Sequence, residues 1–182
     1  MSINWGHISK MMRNQLKANK PAEHNIVQEP AISYQVTVPF ASTLAYLGGL
    51  SVFPKNVTLR GKFDFISLIR KGISMKSLNH LMRVTGISSS EMADIIHTSD
   101  RTLRRYTSET LLNPEQSERA IELASLYSRG EEVFGSSDAF KEWMNSTVLS
   151  IGNKKPKELL DTSIGIELLI DELGRIEYGV FA

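Results

Sequence analysis

The chain has 182 residues, 41% of them hydrophobic, and no cysteine. That apolar fraction can bury the core of one ordinary domain or two small ones, and the lack of cysteine excludes disulfides, thiolate metal sites and cysteine nucleophiles. Net charge is only +1, yet residues 1–106 hold 14 basic against 6 acidic side chains and residues 107–182 hold 7 against 14. The first part is therefore expected to prefer polyanions and the second a basic protein surface, unless the two halves simply attract each other.

The opening MSINWGHISKMMRNQLK interrupts its apolar residues with Lys10, Arg13 and Lys17, so it lacks the core of a signal peptide and a cytoplasmic location is expected. Trp5, Ile8, Met12 and Leu16 fall at helical spacing, as in a docked or dimerising helix. PAEHNIVQEP reads as a linker. Residues 30–54 carry no charge, but Pro39, Gly48-Gly49 and several polar side chains dilute their apolarity below that of a membrane span. Ser42 to Leu47 suits a short helix stopped by Gly48-Gly49, with a strand around 36–38 as the alternative. Residues 1–55 are taken together as a partly flexible extension, whose first 40 residues suit a DNA-contacting arm, a dimer clasp or disorder.

From Phe63 onward the pattern is helical throughout, which gives an all-α fold. Phe63, Ile66 and Ile69 or Arg70 suggest a helix stopped at Gly72. Ser74 caps the next, with Leu78, Leu81 and Met82 inward and Gly86 at its end. A short third helix starts at Ser89 or Ser90. Asn113-Pro114 opens a long one, with Ile121, Ala124, Leu126 and Tyr127 apolar as far as Phe134-Gly135. SSDAFKEWMN and TSIGIELLIDELGRIEYG supply two more. Trp143, Leu159 and Leu160 read as core rather than contact residues.

Between the capped helix and the long one lies GISSSEMADIIHTSDRTLRRYTSE. Two short helices joined by a tight turn, with Ala93 in the first and Leu103 in the second, match the apolar skeleton of a helix-turn-helix. At 100° per residue, Arg101, Arg104 and Arg105 share one arc opposite Leu103 and Tyr106. Ser99 can cap the second helix, which places Asp100, Arg101 and Thr102 in the turn that reaches base edges. An arginine there grips guanine or phosphate with a two-pronged donor set, so Ser99, Arg101, Thr102, Arg104 and Arg105 are the expected DNA contacts. The competing reading is a solvated arginine face. His97 occupies the turn position where such motifs usually place glycine, which it replaces less comfortably.

Nothing points to catalysis, a metal or a cofactor. His7, His24, His80 and His97 are scattered, and no zinc motif, phosphate loop or nucleophile elbow is present. Glu131 and Glu132 point apart on a helix and should be solvated. Tyr178, Val180 and Phe181 near the C-terminus would be costly to leave in water, so they are expected in the protein's own core or in a partner's cleft.

RTL at 101–103, PEQSERAIELASLYSRGEEVFG at 114–135, the tryptophan of FKEWMN, the proline of KKPKELLDTSIGIELL and the terminal LGRIEYGVFA together resemble the Xre/MbcA/ParS-type antitoxins of RES-Xre toxin-antitoxin operons. The likeness runs from about Leu44 to Ala182. It implies an Xre-like helix-turn-helix domain, placed at 56–110, that represses its own operon as a homodimer. A small helical toxin-binding domain follows at 111–182. The implied partner is a RES-domain toxin that degrades NAD+, whose active site the antitoxin's end blocks. Carried onto this chain, the toxin-facing residues are Arg175, Glu177, Tyr178, Gly179, Val180, Phe181 and Ala182. The segment NSTVLSIGNKKP at 145–156 departs from the family, which has a proline after the asparagine and an Ala-Leu-Gly-Gly turn; only Gly152 and Pro156 keep register. The rival reading is a free-standing regulator whose second half dimerises or senses a ligand.

Overall fold

Six of the eight α-helices among the described residues begin at a serine, threonine or asparagine whose side chain accepts a backbone N–H of the first turn. The computed structural model describes residues 38–49 and 62–179. The helix expected around Trp5 to Leu16, the linker at 21–30 and the terminal Val180, Phe181 and Ala182 lie outside these.

Helix α1 runs Val38–Tyr46 and α2 runs Lys62–Lys71. Val38 thus opens a helix rather than a strand, while 36 and 37 are outside the described residues. The apolar period of α2 points Phe63 and Ile66 inward, but both are exposed, Phe63 at 85%. Phe65, Leu68 and Ile69 pack on the core instead. FDFISLI has apolar residues all round, so periodicity alone selects the wrong face.

Helix α3, Met75–Thr85, begins where Ser74 Oγ accepts the Ser77 N–H and ends at Gly86, whose φ of 76° a side chain would resist. Leu78 and Leu81 are fully buried, as expected. Helix α4, Ser89–Ile95, starts with a reciprocal cap: the Ser88 side chain accepts the Glu91 N–H, and the Glu91 carboxylate accepts the Ser88 N–H. Helix α5 is the four residues Asp100–Leu103. Ala93 and Leu103 are both 1% exposed, the small residue letting the two helices cross closely.

The long helix α6, Pro114–Phe134, has Asn113 as its cap and proline at its first position. It packs against α1, α2 and α3, which precede it in the chain, and against α7, Ser137–Asn145, and α8, Ser163–Glu177, which follow. Short 3-10 turns at Leu149–Ile151 and Pro156–Leu159 join α7 to α8. Among the described residues there are two isolated β-bridges and no strand, and the architecture is all-α, a helix-turn-helix unit followed by a small helical one.

The α6/α7 seam is aromatic. Tyr127 meets Phe140 edge-on at 5.1 Å, and Phe140 stacks on Trp143 at 5.7 Å. Gly130 makes this possible: a Cβ there would lie 2.4 Å from the Phe140 ring. Trp143 and Leu159 pack on the core and Leu160 is buried within it. Tyr46 of α1 joins the cluster and donates its hydroxyl to Glu131 at 2.8 Å, so Glu131 is not merely solvated. Burial, aided by that carboxylate, pushes the Tyr46 phenol up to about 12. No described helix is long and apolar enough to cross a membrane.

Candidate functional site

The arginine surface is built by two short helices and their connecting turn. After α4, Ile96 and His97 turn the chain, and His97 takes a φ of 54°. The histidine in the glycine position therefore does adopt the left-handed backbone. It is held there by its ring: Nε2 lies 2.9 Å from the Asp161 carbonyl oxygen and Nδ1 lies 3.2 Å from Glu115 Oε1. Both nitrogens face acceptors, so the protonated ring can donate to both at once. The Asp161 carbonyl first, then the Glu115 carboxylate, raise the His97 pKa above its ordinary value.

A titration follows from that direction. The stabilisation from imidazolium is complete below the unfolded pKa, about 6.5, and disappears as pH rises through the higher folded value. Because the ring is about half exposed, the effect is expected to stay under about 1 kcal/mol. Urea midpoints at pH 5.5 and 8.5 should differ in the native chain, and His97→Asn, which tolerates the same backbone, should lose that part of the difference. An identical pH profile in the variant would remove the role given to the ring.

Ser99 then caps α5: its Oγ accepts the Thr102 N–H at 3.0 Å and lies 2.7 Å from Thr102 Oγ1. Arg104 reaches back to Asp100 at 2.7 Å. Ser89 Oγ donates to the same carboxylate at 2.7 Å, tying the start of α4 to the start of α5. Arg104 and Ser89 hold the Asp100 carboxyl below the usual range. Helix α5 ends at Leu103, so Arg104 and Arg105 lie in the turn beyond it, yet Asp100, Arg101, Arg104 and Arg105 line one shallow concavity. Arg101 and Arg105 are exposed and form no ion pair with a described residue. Leu103 faces the core and Tyr106 packs against it.

Of the other predicted residues, Arg175, Glu177, Tyr178 and Gly179 lie at the end of α8. Arg175 is paired with the buried Glu172, Nε to Oε2 at 2.8 Å, and Ser150 Oγ donates to the other oxygen of that carboxylate. Glu177 is paired with Arg129 of α6, whose guanidinium also reaches Glu132 at 3.4 Å. Tyr178 ends the helix 80% exposed, followed by Gly179 with a φ of 67°. The option of Tyr178 in the protein's own core is thus not realised. In the divergent segment, Val148 and Lys154 form a bridge around the 3-10 turn, Gly152 is left-handed, and Pro156 is buried at the start of the next turn.

Sequence reasoning missed Arg119, which is 4% exposed in the middle of the molecule. Its Nε donates to the Ile95 carbonyl at 3.1 Å, its Nη2 to the Leu160 carbonyl at 2.6 Å, and its Nη1 to Ser163 Oγ and Glu122, each at 2.9 Å. One side chain thereby joins the end of α4 to the start of α8. The available signal was an arginine three residues after Gln116 and four before Leu123, on the buried stripe of α6.

These features define a helix-turn-helix protein whose long sixth helix carries a second helical unit with an exposed tip. Comparison with known proteins sharpens that class. Residues 64–125 match the Antitoxin Xre-like helix-turn-helix domain and residues 129–179 match the Antitoxin Xre/MbcA/ParS C-terminal toxin-binding domain, together more than half of the chain. The chain is also similar to Antitoxin Xre of Yersinia enterocolitica serotype O:8 / biotype 1B, with 28% identity over 120 residues, 64% of this chain and 80% of that relative. This chain belongs to the Xre/MbcA/ParS family of antitoxins. The two matched domains meet inside α6, with no break in the helix between them.

Proposed function

We propose that this antitoxin neutralises a RES-type, NAD-degrading toxin by laying its C-terminal segment over the toxin's active site, and that as a homodimer it binds and represses its own operon. The observation that carries the toxin reading is the exposed Tyr178 at the end of α8, inside the matched toxin-binding domain. Arg175 and Glu177 are fixed by Glu172 and Arg129, so they present a preorganised edge beside Tyr178 and Gly179. Val180, Phe181 and Ala182 extend that edge in sequence. A pocket for NAD+ phosphates is expected to be basic, and the acidic second half of this chain is steered towards it. The role is occlusion in the cytoplasm; no chemistry is required of this chain.

On the DNA side, Ser99, Arg101, Thr102, Arg104 and Arg105 form the operator face. Ser99 and Thr102 shape the helix start, whereas Arg104 must exchange Asp100 for DNA. Arg101 and Arg105 have no such competitor among the described residues. Arg101→Ala and Arg105→Ala are therefore expected to weaken operator binding by about 1–3 kcal/mol where the arginine grips a base, or to flatten the salt dependence by about one unit of slope where it neutralises a phosphate. Gel-shift titrations at several salt concentrations read both, and unchanged affinity in both variants returns the cluster to a solvated face. Co-expression with the product of the adjacent gene, followed by mass measurement and an NAD+ consumption assay, tests the partner. A stable complex with suppressed NAD+ loss is expected; a neighbour that leaves NAD+ untouched overturns the RES assignment.

A further inference from the structure

A cleft of about 370 Å³ opens on the seam between α4 and the segment that leads into α8, lined by none of the arginine-face or α8-tip residues. Its floor is apolar, made by Ile95, Met144 and Leu160, each under 5% exposed. Its rim carries Glu91, Asp94, Glu158 and Asp161 against the single cation Lys157. Glu91 is engaged: it accepts from Ser88 N and Oγ and lies 3.8 Å from Lys157. The side chains of Asp94, Glu158 and Asp161 make no hydrogen bond or ion pair with a described residue.

Carboxylates alone would be a solvated rim. The second observation is Tyr127, which lines the same cleft, is 3% exposed, and whose hydroxyl has no hydrogen-bond partner among the described residues. Burial first, then the Glu91 charge, raise its pKa, so the phenol stays neutral and its oxygen remains an acceptor. The ring is buried but its hydroxyl oxygen opens to the cleft, since among the described residues only Ser128 Oγ is a fully buried side-chain polar atom without a partner, so a ligand N–H would take the place of water at the Tyr127 oxygen. Facing carboxylates between low-dielectric walls concentrate a negative potential, which excludes phosphates and carboxylates and favours cations. An apolar floor favours an alkyl stem, and the volume lies at the lower end of small-molecule pockets.

We propose that this cleft binds an organic cation, an alkylammonium or alkylguanidinium group, with its stem on Ile95, Met144 and Leu160, its charge between Asp94, Glu158 and Asp161, and one N–H on the Tyr127 hydroxyl. The occupant spans α4 of the DNA-binding unit and the residues that enter α8, the same seam that Arg119 and His97 cross. This site is independent of the identity of the toxin. The cation has two sources, a free diamine or guanidine, or a lysine or arginine side chain presented by another protein.

The test uses the full chain, calorimetry, and the methyl resonance of Met144. Agmatine and putrescine serve as free cations, N-acetylarginine amide as the side-chain mimic, and pentanoate as an anion of matching stem. Saturable binding of agmatine with a shifted Met144 signal is expected, with none for pentanoate. Binding of N-acetylarginine amide as well would assign a protein side chain; its failure beside agmatine binding would assign a free cation. Asp94→Asn with Asp161→Asn, both exposed positions, should weaken binding at least tenfold, and Tyr127→Phe, which keeps the ring packed, by roughly fivefold. The proposal is overturned by the absence of saturable binding for every cation, or by affinities equal to wild type in both variants.

Discussion

Deleting residues 178–182 is expected to abolish toxin neutralisation while leaving operator binding in place. Tyr178 is 80% exposed and adds no packing to the core, so its removal should cost no more than about 0.5 kcal/mol, the range of a surface change. The ion pairs of Arg175 with Glu172 and of Glu177 with Arg129 remain and keep the end of α8 in position. Growth rescue on toxin co-expression, a gel shift and a melting curve on the same truncated protein separate the outcomes. Rescue by the truncated chain would refute the occluding tail. Loss of operator binding as well would show that the deletion disturbs the fold and not the toxin contact alone.

Arg119→Ala should produce the largest loss of stability among these variants, on the order of 3 kcal/mol or more. The substitution strands the Ile95 and Leu160 carbonyls, both of which now accept from the guanidinium, and leaves Glu122 with the Ser163 hydroxyl but no cation. Arg119→Lys is expected to recover only part of this, because an ammonium is a point charge and cannot match a planar fork aimed at several acceptors. Urea titration measures both variants. A midpoint within error of the native chain would show that water substitutes for the guanidinium at no cost. The unfolding transition should also stay single in the lysine variant, since the residues around position 119 still connect α4, α6 and α8.

Much of this architecture is legible in the chain because its signals are local. Ser74 and Gly86 bracket α3, Asn113-Pro114 opens α6, and Ser99 caps α5, each through hydrogen bonds within three or four residues. Arg101, Arg104 and Arg105 fall on one face for the same reason. Longer-range partners are not readable. Arg119 looks like any helical arginine until residues 95, 160 and 163 are brought to it, and His97 looks like an imperfect turn residue until Asp161 and Glu115 meet its ring. The buried face of α2 escapes periodicity because Phe63, Phe65, Ile66, Leu68 and Ile69 surround that helix, and only tertiary packing selects among them. The pairing of Asp100 with Arg104, which sets that arginine apart from Arg101 and Arg105, spans only four residues and belongs with the local signals.

The two matched domains share α6, a rod of 21 residues and so about 30 Å long. Under the proposed contacts, a toxin held at one end would be carried at a set height and azimuth above a duplex held at the other, because the helix between the two matched domains is unbroken. Operator sites separated by whole turns of DNA, about 34 Å each, would line their cargo up along one side of the duplex, whereas half-turn spacing would alternate it. Under the proposed operator binding, the spacing between sites would thus decide whether neighbouring toxins fit side by side.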